Sequence, residues 1–220
     1  RKMGKFWASP VSRALHRAQP WIRFLPPVGR SVVEELSALA PLSHLLFESS
    51  LEDLIESMEK NRIERAVVLS DPAKVSNDRI LDLSESDPRF VAAVRVPRHF
   101  VEGKASDENR RERIFKFVRD AHSRRARILQ IHPASDGFDP TSDYYAEQID
   151  AAAAHGWIVL IQTGAPKVHL FYRRPEFSEI TRFETWFSQW PKTPFVIARM
   201  NFSDPDGAMD QAEKYENLRL

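Results

Sequence analysis

Five polar side chains interrupt otherwise apolar stretches toward the ends of three successive segments: Gln130 and His132 in RILQIH, Gln162 in WIVLIQ, and Arg199 and Asn201 in FVIARMN. Each stretch is short and rich in β-branched and large apolar residues, the composition of a buried strand. Residues two apart on a strand share a face. On that rule Ile128, Gln130 and His132 lie together, as do Ile158, Leu160 and Gln162, and as do Phe195, Ile197, Arg199 and Asn201, each set turning polar toward its C-terminal end. Two readings are open. In one these are ordinary strand ends, with the amides bonded to neighbours and Arg199 paired to a carboxylate. In the other they converge on one pocket, because parallel α/β sheets bind ligands at the C-terminal ends of their strands. The chemistry on offer is recognition of an anion by the Arg199 guanidinium, with His132 able to exchange a proton near neutral pH. Tyr172, Arg173 and Arg174 follow the 157–162 stretch and either widen that anion-binding mouth or pair at the surface with Glu176 and Glu179.

Other chemistries are excluded more simply. The chain has no cysteine, so there is no thiolate nucleophile, disulfide or zinc ribbon. The histidines at 16, 44, 99, 122, 132, 155 and 169 show neither His-x-His nor His-Glu-x-x-His spacing, so they assemble no local metal site. A net charge of +1 argues against nucleic acid as a partner. No apolar run approaches the roughly 20 residues of a membrane span, no leader of signal type stands at the start, and the lack of cysteine agrees with a cytoplasmic setting.

The elements that must position these residues alternate. Ser49, three residues before Glu52, predicts a capped helix carrying Leu51, Leu54, Ile55 and Met58, followed by a strand at 63–69. A helix starting at Ser76 leads to a strand at 90–96. A helix over Asp107–His122 buries Ile114, Phe115, Val118 and Ala121 and leads to the strand 127–132. A helix at 144–155, capped near Ser142 and closed at Gly156, leads to 157–162. A helix near 178–190, with Ile180, Phe183, Trp186 and Phe187 as its buried stripe, leads to 195–201. Pro205 opens a last helix before NLRL (217–220), the beginning of another strand. Repeated strand–helix units imply a parallel sheet, either an open doubly wound sheet or a (β/α)8 TIM barrel. No Gly-rich turn follows the first strand, which favours the barrel. At 42% hydrophobic residues the chain has material for one core. Residues 1–47, with prolines at 10, 20, 26, 27 and 41, read as an irregular arm suited to oligomer contacts, and 48–220 as the barrel segment.

With the strands placed, the sequence resembles the amidohydrolase superfamily, in the branch that includes aromatic-acid decarboxylases and lactone or amide hydrolases. The resemblance rests on ESMEKNRIERAVVLSDP (56–72), ILQIHPASDGFDP (128–140), WIVLIQTGAP (157–166) and PFVIARMNFSDP (194–205), running into EKYENLRL (213–220), in the family's order. It implies a TIM barrel with one or two divalent metals (Zn, Mn or Fe) held by His-x-His on the first barrel strand, a Lys on the fourth, His on the fifth and sixth, and an Asp on the eighth. Here Gln130 stands where the family often has the Lys of Lys-Ile-His-Pro, Gln162 where it has the His of His-Thr-Gly, and Arg199 where it has the His of Ala-His-Met. An amide oxygen is a weak ligand, and a guanidinium ~4 Å from a divalent ion repels it by roughly 8 kcal/mol at an effective dielectric near 20. The resemblance, so substituted, implies a degenerate metal site with no cofactor, in a non-catalytic subunit or a binder of a small anion. Such a chain forms homo-oligomers or pairs with an active paralogue. The alternative is an active metal-dependent hydrolase or decarboxylase acting on a small carboxylic acid, amide or lactone. A closed barrel takes ~250 residues, and the first and eighth strands are not seen, so the expectation is a longer natural chain or a completing partner.

Overall fold

A computed structural model describes residues 50–71, 75–100, 107–164, 173–198, 201 and 204–220. The arm at 1–47, Tyr172 and Arg199 lie outside the described residues. The chain divides into two compact units, 1–63 and 64–220.

In the first unit the described segment is the helix Leu51–Lys60. Its cap is set one residue later than the Ser49–Glu52 pairing predicts. Ser50 Oγ accepts the Asp53 N–H at 3.0 Å while Asp53 Oδ2 accepts the Ser50 N–H at 2.9 Å. The shorter Asp at the third position closes the same reciprocal box that Glu usually closes.

The second unit holds a six-stranded parallel sheet: β1 (Ala66–Leu69), β2 (Phe90–Val94), β3 (Ile128–Ile131), β4 (Ile158–Gln162), β5 (Phe195–Ala198) and β6 (Leu218–Arg219). Spatial order equals chain order, β1-β2-β3-β4-β5-β6. A doubly wound sheet reverses its order at a switch point. This one does not, so successive crossovers wind the same way and its helices collect on one face, as in a TIM barrel.

The register shows which face. Phe90, Ala92, Val94, Leu129, Ile131, Val159, Ile161, Phe195, Ile197 and Leu218 are all buried, and most of them join one core with Ile114, Val118, Tyr145, Ile149, Phe183, Trp186 and Phe187 from the helices and turns. The opposite face carries Val67, Leu69, Ile158, Leu160, Val196 and Ala198, which are exposed or half-buried. That is the face a barrel turns inward.

Three helices are stopped by one device. The helices Leu51–Lys60, Asp107–Ser123 and Asp143–Ala154 each end with a left-handed residue, Arg62 (φ 57°), Arg125 (φ 66°) and Gly156 (φ 66°). In each, the next N–H reaches back to the carbonyl five residues earlier: Ile63 to Met58 at 2.8 Å, Ala126 to Ala121 at 3.0 Å, and Trp157 to Ala152 at 3.0 Å. This Schellman stop satisfies the orphan carbonyls and turns the chain into the strand.

Three expectations change. The helix near 178–190 is two 3-10 turns, Pro175–Ser178 and Ile180–Phe183, followed by a short α-helix, Glu184–Gln189. Glu179 between the turns is extended (φ −66°, ψ 130°), which breaks the α-helical ladder, although the expected stripe Ile180, Phe183, Trp186 and Phe187 is buried. A short helix, Pro133–Asp136, occupies what the sequence reading leaves as a break after His132. Finally, β5 ends at Ala198, and its residues on Gln162's face are Val196 and Ala198, not Phe195 and Ile197.

Candidate functional site

Gln130 and Gln162 meet on one face. The register pairs Gln130 with Leu160 and Gln162 with Ala198, so the two amides lie on neighbouring strands two residues out of step, roughly 8 Å apart between Cα atoms from standard sheet spacings. Both are 5% exposed. Gln130 Oε1 has no hydrogen-bond partner, and three further buried oxygens just past strand ends share that condition: Ser70 Oγ after β1, Thr163 Oγ1 after β4 and Asn201 Oδ1 after β5. Buried polar atoms are normally satisfied. Four of the eight such atoms among the described residues thus lie at or just past strand ends, where a ligand's polar groups, or ordered water, would complete them.

His132 is the N-cap of Pro133–Asp136, and its Nδ1 accepts the Ser135 N–H at 3.4 Å. Asn201 adopts a left-handed backbone (φ 49°) and donates from Nδ2 to the Asp204 carbonyl at 2.7 Å.

Arg173 belongs elsewhere. It lines a cavity of about 530 Å³ over the ends of β1, β2 and β3, walled also by Ser70, Ser76, Asn77, Arg95, Arg98, His99, Ser135 and Asp136, but not by Gln130, His132, Gln162 or Asn201. The sequence reading passed over Arg95 and Asp136. Arg95 stands just past β2, where Asn77 clamps both its backbone groups, accepting its N–H at 3.0 Å and donating to its carbonyl at 2.8 Å. Its guanidinium is salt-bridged to Asp136, both side chains being about nine-tenths buried. Tyr145 donates its hydroxyl to the other Asp136 oxygen at 3.1 Å. Burial first, and the Asp136 carboxylate second, push the Tyr144 and Tyr145 phenols far up. Both therefore stay protonated donors. The signal for Arg95 was available: it is the single charge within FVAAVRV.

The divalent metal implied by the resemblance can be tested against these donors. At the two ligand positions the structure describes, the donors are the amides of Gln130 and Gln162, and among the described residues no group of three His, Asp or Glu side chains could hold an ion. Two neutral amides by themselves are weak ligands for zinc, manganese or iron. Among the described residues no helix is long and apolar enough to cross a membrane.

Comparison with known proteins places the fold. An amidohydrolase family model matches residues 37–220. The uncharacterized TIM-barrel protein Bb4693 from Bordetella bronchiseptica superposes with a TM-score of 0.60 at 16% identity, over 81% of this chain and 60% of that one. The 5-carboxyvanillate decarboxylase LigW from Sphingomonas paucimobilis superposes with a TM-score of 0.51 at 14% identity, over 83% of this chain and 64% of that one. The chain thus spans under two thirds of the length of either structure. No curated protein matches. The family match takes in every described strand and runs to Leu220; this chain belongs to the amidohydrolase family.

Proposed function

We propose that this amidohydrolase-family chain binds a small carboxylate at the C-terminal ends of its strands, without a resident metal and without turning it over. The observation that carries this reading is the pair of buried amides at Gln130 and Gln162, where the resemblance calls for a lysine and a histidine, with the unpartnered Thr163 hydroxyl next to Gln162 in the chain. Amide N–H groups and hydroxyls donate to a carboxylate, whereas they are poor substitutes for imidazole at a divalent ion. Arg199, which follows Ala198 in the sequence, supplies the counter-charge in this proposal. Such a chain works as a non-catalytic subunit, with copies of itself or beside an active relative.

Family membership supports a second reading, a metal-dependent hydrolase or decarboxylase of a small carboxylic acid, amide or lactone. One experiment separates the two. Benzoate is titrated calorimetrically into the full chain and its Gln130→Ala and Gln162→Ala variants, and the same preparation, incubated with Zn²⁺ or Mn²⁺, is assayed for CO2 release from 5-carboxyvanillate. The binding reading predicts that each variant weakens benzoate by about tenfold, or 1.4 kcal/mol, with no metal-dependent turnover. Metal-dependent CO2 release would overturn it in favour of the enzyme.

A further inference from the structure

We propose that Gln130 sets the specificity of the strand-end site: its side-chain oxygen selects, among small carboxylates, those that also carry an N–H or O–H donor. This rests on the carboxylate reading above and adds the second group that such a ligand must present.

Gln130 lies on the inward face of β3, where the register sets it opposite Leu160 of β4, a side chain with no donor to offer. It is 5% exposed, and its Oε1 is buried without a hydrogen-bond partner. Gln162, two residues further along β4, donates nothing to it. The acceptor is thus built into the face and left open by the chain around it.

A carboxylate alone does not answer that atom. The hydroxyls of Ser70 and Thr163, likewise buried and unpartnered, can turn either a proton or a lone pair toward a ligand, whereas an amide oxygen only accepts. Set against a carboxylate oxygen it meets a second acceptor, and a buried acceptor left unpaired keeps its desolvation cost. A ligand group with an N–H or O–H removes that cost on binding. The Nε2–H groups of the same amide still serve the carboxylate, so one side chain reads both parts of the ligand.

The substitution at this position points the same way. Where the resemblance calls for a lysine, whose ammonium only donates, this chain has a group that also accepts. The hydrogen-bonding demand on the ligand is changed accordingly. Sites built around a buried hydrogen-bonding group reject the analogue that lacks the matching group far more strongly than an apolar pocket rejects a missing methylene.

The test compares, by calorimetry on the full chain, benzoate with its meta- and para-substituted hydroxy, amino and methoxy derivatives. The methoxy acids keep the oxygen and lose the donor. The expected result is that at least one hydroxy or amino acid binds about tenfold tighter than both benzoate and the methoxy acid substituted at the same position. A larger gain for hydroxy identifies an O–H donor, and a larger gain for amino an N–H donor. Gln130→Leu, which has no acceptor, abolishes the preference. Gln130→Glu, which keeps an acceptor, retains it although every acid binds more weakly beside the new charge, and Gln162→Leu retains it too. Each readout is a ratio within one protein, so a general loss of stability in a variant moves both affinities together. Equal binding of donor and methoxy acids by the parent, a preference for the methoxy acids, or a preference that survives in Gln130→Leu overturns selection by Gln130 and leaves the carboxylate reading in place. If no acid of the series binds, the carboxylate reading fails and this inference with it.

Discussion

Asp136 is the residue on which the β2–β3 corner turns. It accepts from Arg95 on one oxygen and from Tyr145 on the other, under nine-tenths burial. Removing one partner of a buried ion pair leaves the other charge uncompensated, which costs more than the pair contributes. Asp136→Asn is expected to lower unfolding free energy by about 3 kcal/mol, measured by urea denaturation. Tyr145→Phe removes one hydrogen bond and should cost about 1–2 kcal/mol. The raised Tyr144 and Tyr145 phenols add a pH dependence. A folded-state value above the unfolded one of about 10 gives a contribution complete below pH 10 and lost as pH rises beyond it. Ultraviolet titration of the four tyrosines should therefore leave at least Tyr144 and Tyr145 un-ionised until the alkaline unfolding transition. Smooth ionisation of all four in the folded protein would contradict the buried network.

At the scale of elements, the junctions matter most. Arg62 and Arg125 occupy the left-handed helix-stop position that glycine fills at lower strain. Arg125→Gly should raise stability by up to about 1 kcal/mol, the strain relieved less the entropy glycine adds to the unfolded chain, read as a higher melting temperature. The helix Asp107–Ser123 is also tied to the start of β4, because Trp157 Nε1 donates to His122 Nδ1 at 2.9 Å. That acceptor must be unprotonated. Burial chiefly, then Arg127 and His155, lower the His122 value, so its contribution is complete above about pH 6.5 and is lost as pH falls through the depressed folded value. The melting temperature should fall between pH 7 and 5, and His122→Gln, which keeps an acceptor but does not titrate, should flatten that fall.

The same junctions show what the sequence could disclose. Gly156 and the apolar stretches were legible because glycine stops and strand composition are local signals. The stops at Arg62 and Arg125 were not, since arginine carries no turn preference and only the surrounding fold imposes its conformation. The split of 178–190 was hidden for a related reason: the stripe of Ile180, Phe183, Trp186 and Phe187 fits 3-10 turns and an α-helix alike. At the candidate site, alternation grouped Gln130 and Gln162 each with its own strand's face, and the register showed that the face is shared. The cavity around Arg95 and Asp136 did not, because it needs three strand ends and the short helix Pro133–Asp136 brought together in space.

In the second unit, the helix-covered face of the sheet is closed, while the other buries Ala93, Ile128, Gln130 and Gln162 but leaves β1 open. Val67 and Leu69 are 49% and 40% exposed on β1, on the face a barrel turns inward, while the C-terminal rim above it is lined by amides, hydroxyls and guanidiniums. Such a rim suits a small anion, and we propose that the family's metal chemistry has been given up there. Native mass spectrometry of the full natural chain, after incubation with Zn²⁺ and Mn²⁺ and desalting, tests that claim most directly. The expected result is subunits or oligomers whose mass equals that of the polypeptide, with added mass only from small organic anions. One or two metal ions retained per chain would contradict it.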